Sequence, residues 1–228
     1  MPLCLGLFFM FMYRTGAYGG HLHSEGAWMP MAALVWPFLN FSLFMFNIFG
    51  ADAQSFSALT LFPTQRRKYV IAKNMALAPF VLGLSFFFVV VSTLLANASL
   101  RLMLMALILA LHLFFLLSTI GNFLSLRFPY RIGRDALRQP TKRLRMLIIG
   151  IFSTLLVAFV VIPSSACMLL ERSRFSQGRF IPGNAGMISA VLLLVLSVII
   201  YCFTITSLGD QFTEREQDIY SRLIGDKE

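Results

Sequence analysis

The chain has 228 residues, of which 58% are hydrophobic and 13% charged, with a formal net charge of +9. A water-soluble domain carries roughly 25% charged residues, so the composition excludes an ordinary soluble core and points to an integral membrane protein. The excess of positive charge is no sign of nucleic acid: the aromatic residues are mostly Phe inside apolar runs, and no zinc-finger spacing or other nucleic-acid module is present.

A helix that crosses the hydrocarbon core needs about 20 mostly apolar residues. The apolar stretch 2–13 is about half of such a span. It lacks the basic flank of a signal peptide, and is read as the outer part of a first helix whose beginning is missing. Next comes HLHSE, where His21, His23 and Glu25 would share a face in an extended strand. A Gly-flanked loop preorganises nothing, and no metal site is expected there. Full spans are predicted over 29–49, 74–96, 102–120, 146–170 (interrupted by Pro163) and 187–208. The expected fold is therefore all-α: a polytopic membrane helix bundle of five full transmembrane helices plus a partial first one, in a single domain over 1–228. Cys4, Cys167 and Cys202 lie in or beside apolar runs without a CxxC pair, and read as small hydrophobic filler.

The basic residues then orient the bundle. The connection 50–73 holds Arg66, Arg67, Lys68 and Lys73. The connection 121–145 holds seven Lys and Arg, and the tail after Leu208 holds Arg215, Arg222 and Lys227. The alternate connections are poorer, with Arg14, then Arg101, then Arg172, Arg174 and Arg179. Positive charge stays on the cytoplasmic side, so 50–73, 121–145 and the C-terminus are expected inside. No Asp, Glu, Lys or Arg falls in the middle of a span, and His112 is the ionisable group nearest mid-membrane besides the cysteines. Ion-coupled carriers keep charged groups at that depth, so a secondary transporter is disfavoured and His112 reads as an interhelical hydrogen-bonding residue.

Catalytic signatures are missing. The sequence has no GxxxxGK[ST] run, no GxSxG and no HExxH, so neither an enzyme nor a bound cofactor is expected. The connection 50–73 is unusual instead for its apolar content. Gly50 is placed to close the preceding helix. Asp52 is placed to cap a new short one, and Pro63 to stop it. Phe56, Leu59 and Phe62 fall on one broad side of this helix, and the basic Arg66, Arg67 and Lys68 that follow suit acidic headgroups of the inner leaflet.

The run NIFGADAQSFSALTLFPTQRRKYVIAKN resembles the first cytoplasmic loop of ABC-2 type exporter permeases, through Asn47, Phe49, Gly50, Asp52, Pro63, Arg66, Arg67, Lys73 and Asn74. The second cytoplasmic loop resembles the same group through Gly121, Asn122, Ser125 and Pro129, and the tail through Arg215, Glu216 and Ile219. The resemblance implies a permease subunit that forms the translocation path of an exporter in the bacterial inner membrane. Its partners would be a separate ABC ATP-binding subunit, a second permease copy or paired permease half, and membrane lipids. The short helix would be a cytoplasmic coupling helix seated on the ATPase, with Asp52, Gln54, Phe56 and Leu59 as contacts and Arg66 and Arg67 as leaflet anchors. Short helices after Pro163 would dip back into the outer leaflet, with Arg172, Arg174 and Arg179 around the outer exit. An ATP-independent scaffold or assembly protein is the alternative reading.

Overall fold

The computed structural model describes residues 29–51, 65–128, 151–152, 154–164, 166–167 and 185–224. Those residues are helical apart from short turns, and no strand occurs among them. The helices are α1 (Met29–Met45), α2 (Ile48–Ala51), α3 (Arg66–Leu95), α4 (Leu100–Arg127), α5 (Thr154–Ser164) and α6 (Ala185–Ile224). Three of them, α3, α4 and α6, are long and apolar enough to cross a membrane.

Five full spans are not shown. The stretch 29–49 is divided: α1 stops after 17 residues, a reach of roughly 26 Å against a hydrocarbon core of about 30 Å. A tightened turn follows, in which Asn47 N donates to Phe44 O (3.3 Å), and α2 then restarts the chain. Gly50 therefore lies inside α2 and does not close α1. Of the stretch 146–170, the described part includes the 11 residues of α5, with Pro163 at its end. The stretch 2–13, the loop with His21, His23 and Glu25, and the segment holding Arg172, Arg174 and Arg179 lie outside the described residues.

The helices are apolar on nearly every side, as lipid-embedded helices are. Several hydroxyl side chains in them bond to carbonyls of their own helix, because hydrocarbon offers no partner. Ser85 Oγ donates to Val81 O (2.7 Å), Thr93 Oγ1 to Val89 O (2.7 Å) and Thr119 Oγ1 to Phe115 O (2.9 Å). The α3–α4 hairpin closes in four residues. Asn97 adopts a left-handed φ of 48°, which Asn tolerates better than most residues, and Ser99 Oγ caps α4 by accepting from Leu102 N (3.3 Å).

Helix α4 is the most enclosed of the three long helices and packs against α1, α3 and α6. Leu109, Leu113 and Leu117 on α4, Leu34 and Phe38 on α1, Val81 and Val89 on α3 and Val157 on α5 form the main core. His112, also on α4 and 3% exposed, is bonded through Nδ1 to Leu193 O of α6 at 3.0 Å. This is the interhelical role read from the sequence. A second, separate cluster lies at the end of the bundle where α3 begins and α4 ends. It contains Phe49, Val70, Leu126, Ile205, Leu208, Phe212 and Ile219.

Helix α6 reaches far past that end. Its 40 residues extend roughly 60 Å, twice the hydrocarbon core. Helix α3 also begins eight residues before the predicted span, and α4 runs seven residues past the one predicted there. These extra turns all lie at the end that carries Arg66, Arg67 and Lys68, here called the basic end.

Candidate functional site

The basic end gathers residues from three distant parts of the chain. From the first connection come Phe49 on α2 and Arg66 and Tyr69 on α3. From the end of α4 come Gly121, Asn122 and Ser125, and from the extension of α6 come Gly209, Phe212, Glu216 and Ile219.

Phe49 is held twice. Its backbone N–H donates to Ser125 Oγ (3.1 Å) across 76 residues of sequence, and its ring meets Phe212 with centroids 4.7 Å apart. Tyr69 completes the aromatic group, stacked on Phe49 at 6.1 Å and tilted against Phe212 at 6.0 Å. Offset and tilted geometries of this kind are the favoured ones for aromatic pairs. Phe212 is fully buried among these rings.

Arg66 is bound in a fork. Its Nε donates to Glu216 Oε2 (2.9 Å) and its Nη2 to Glu216 Oε1. The two side chains are 11% and 16% exposed, so water screens this pair less than a surface pair. The bidentate geometry is the strong form of a carboxylate–guanidinium contact. The guanidinium carbon also lies 6.0 Å from the centre of the Phe212 ring, within cation–π range. Arg67, one residue on, is exposed, as is Lys68.

Two glycines permit close helix approach here. A Cβ on Gly121 would collide with the backbone carbonyl of Met45, the last residue of α1. A Cβ on Gly209 would lie 2.8 Å from Arg67 Cβ and 3.1 Å from its Cα. Small residues at helix crossings bring backbones together in this way in membranes. About two turns toward the membrane, Asn74 Nδ2 donates to Tyr201 Oη (2.9 Å). Helices α3 and α6 are thus registered antiparallel at Arg66–Glu216, Arg67–Gly209 and Asn74–Tyr201.

Asn122 is fully buried, and neither its Nδ2 nor its Oδ1 has a partner among the described residues. Such a carboxamide costs free energy where it stands.

The residues expected from sequence divide as follows. Arg66, Gly121, Asn122 and Ser125 come together at the basic end, with Glu216 and Ile219 of the tail. Arg67 sits on the same rim. Asp52, Gln54, Phe56, Leu59 and Pro129 lie outside the described residues, as do the three outer arginines. Sequence reading missed Tyr69, Gly209 and Phe212. The signal for the last was available: the helical spacing of Ile205 and Leu208, at the end of the predicted span, continues past it through Phe212 and Ile219. Among the described residues no group of His, Cys, Asp and Glu is placed to hold a metal ion.

No family model, curated protein or solved structure matches the chain.

Proposed function

We propose that the chain is the membrane-spanning permease subunit of an ABC-2 type exporter, driven by a separate ATP-binding subunit. One observation carries this reading. The three segments that resemble the family in sequence are hundreds of atoms apart along the chain, yet members of each come into contact at the basic end. Phe49 touches Ser125, and Arg66 is bound to Glu216. A shared cluster gives those motifs a common mechanical purpose: to anchor the first connection, where the ATP-binding subunit would press. The missing P-loop motif then belongs to that partner.

In this reading the basic end and the C-terminus are cytoplasmic, in a bacterial inner membrane. Asp52, Gln54, Phe56 and Leu59 supply the contact surface for the ATPase. Arg67 and Lys68, both exposed, face the acidic headgroups. Arg66, with its guanidinium committed to Glu216, serves as a structural tie more than as a lipid anchor. A second permease copy, or a paired half, completes the path, and Arg172, Arg174 and Arg179 stand at its outer exit.

The test is Phe56→Asp, which places a charge on the apolar side of the proposed coupling helix. Association with an ATP-binding chain, and nucleotide-dependent export, should both be lost while the variant still accumulates in the membrane. Retention of both outcomes overturns the coupling assignment. If no ATP-binding chain co-purifies with the parent protein and no nucleotide hydrolysis responds to it, the ATP-independent scaffold stands instead.

A further inference from the structure

The first connection leaves the bundle at Phe49 on α2 and returns at Arg66 on α3. Both stems are held by one helix. Phe212 of α6 packs on Phe49 at 4.7 Å and on Tyr69 at 6.0 Å, and Glu216, one turn further, binds Arg66 bidentately. Beneath these contacts the α6 backbone rests on α3 at Gly209, where no side chain could be inserted without displacing Arg67. The crossing is therefore a fixed bearing, with an aromatic grip and an ion pair on its far side.

Continuity makes this arrangement mechanical. Helix α6 is unbroken from Ala185 to Ile224, and its membrane part binds His112 of α4 through the Leu193 carbonyl. A helix transmits displacement along its axis because every turn is hydrogen-bonded to the next. A movement of either stem consequently reaches the middle of the bundle by two routes, through α3 directly and through α6.

We propose that the extension of α6 is a clamp that closes on both stems of the first connection and delivers their displacement to the transmembrane part of α6. The clamp itself is independent of what pushes on the connection; that the push comes from an ATP-binding subunit rests on the proposed function. Arg66, Phe212 and Glu216 act as positioning residues. The acidic partner at Glu216 holds the stem in register, and Phe212 keeps the two stems at one spacing.

The experiment uses the full chain in native membranes, with its three cysteines replaced and Arg67→Cys and Thr213→Cys introduced, two exposed positions at and one turn beyond the Arg67–Gly209 crossing that leave Phe49, Arg66, Phe212 and Glu216 in place. The rate at which a short bis-methanethiosulfonate reagent bridges this pair, each cysteine forming a disulfide and expelling a sulfinate, reports clamp closure. Glu216→Arg, which sets two cations against each other, should slow bridging about ten-fold, since breaking a partly buried pair leaves an uncompensated charge. Adding Arg66→Glu, which restores a pair of opposite sign, should recover the rate to within about three-fold. Rescue by charge exchange is a readout that simple loss of packing would not produce. An unchanged rate in Glu216→Arg overturns the clamp, and so does failure of the exchange to rescue a chain that accumulates normally. Should Glu216→Arg itself fail to accumulate, Glu216→Gln supplies the same comparison with a smaller fall. With an ATP-binding partner present, the bridged protein should keep that partner but lose stimulation of its hydrolysis. Hydrolysis unaffected by bridging overturns transmission through α6. A chain that has no such partner overturns the proposed function alone, because the bridging rates report the clamp without one.

Discussion

At Gly121 the absence of a side chain decides where α1 can end. The Met45 carbonyl occupies the place a Cβ would take, and a backbone group cannot rotate away as the tip of a long side chain can. Gly121→Val should therefore destabilise the protein by about 1–3 kcal/mol or more, as overpacking of a dense contact does. Gly83 on α3 gives the matched control. A Cβ there meets nothing within 4 Å, so Gly83→Ala should be neutral or should stabilise by up to about 0.5–1 kcal/mol through helix propensity. Thermal unfolding of both variants in one detergent checks the pair: equal shifts would show that the Met45 contact does not control the position. Asn122, the neighbour of Gly121, is a further case in which local free energy is given up. Its buried carboxamide has no partner among the described residues, while Ser125, one turn on, is used by Phe49.

Among the elements, α4 is the one around which others are placed, and its link to α6 can be weighed. His112→Leu removes the hydrogen bond to Leu193 O, and the loss should be about 0.6 kcal/mol, the usual worth of an interhelical hydrogen bond in a membrane protein. Equilibrium unfolding in bicelles would show it; a loss several times larger would mean that His112 is integral to the core beyond this one bond. The role of His112 was readable in the sequence because it stands nearly alone among apolar neighbours. So was the α3–α4 hairpin, because Asn97 and Ser99 supply turn and cap chemistry between two apolar runs. The helix ends at the basic side were not readable in the same way. Hydropathy measures transfer into lipid, whereas the turns at Arg66–Lys73, Gly121–Arg127 and Gly209–Ile219 are held by contact with one another. Charge in those turns read as loop, although Glu216 and Arg66 neutralise each other there. The break between α1 and α2 was hidden for the opposite reason: the chain stays apolar through Phe46 while its hydrogen bonding changes at Asn47. The coupling contacts assigned to Asp52, Gln54, Phe56 and Leu59 rest on sequence pattern and resemblance.

For the whole molecule, the α3–α4 turn and the extension of α6 lie at opposite ends of the long helices. If positive charge sets the orientation, a membrane-impermeant thiol reagent applied to intact cells should label Ala98→Cys in a cysteine-free chain. It should reach Gln217→Cys only after the membrane is opened. Labelling of Gln217→Cys from outside would reverse the proposed topology. The basic end also imposes an order of events during synthesis. The Arg66–Glu216 contact joins residues 150 positions apart, and the ring of Phe212 that seats Phe49 and Tyr69 comes from the same late segment. A nascent chain that has already inserted α3 and α4 therefore carries an unclosed first connection, with Phe49 and Tyr69 uncovered, until α6 emerges from the ribosome. Contacts of such long range form late and leave apolar surface open meanwhile. Chains stalled before Phe212 would present that surface to membrane proteases, so completion of translation doubles as a checkpoint on assembly.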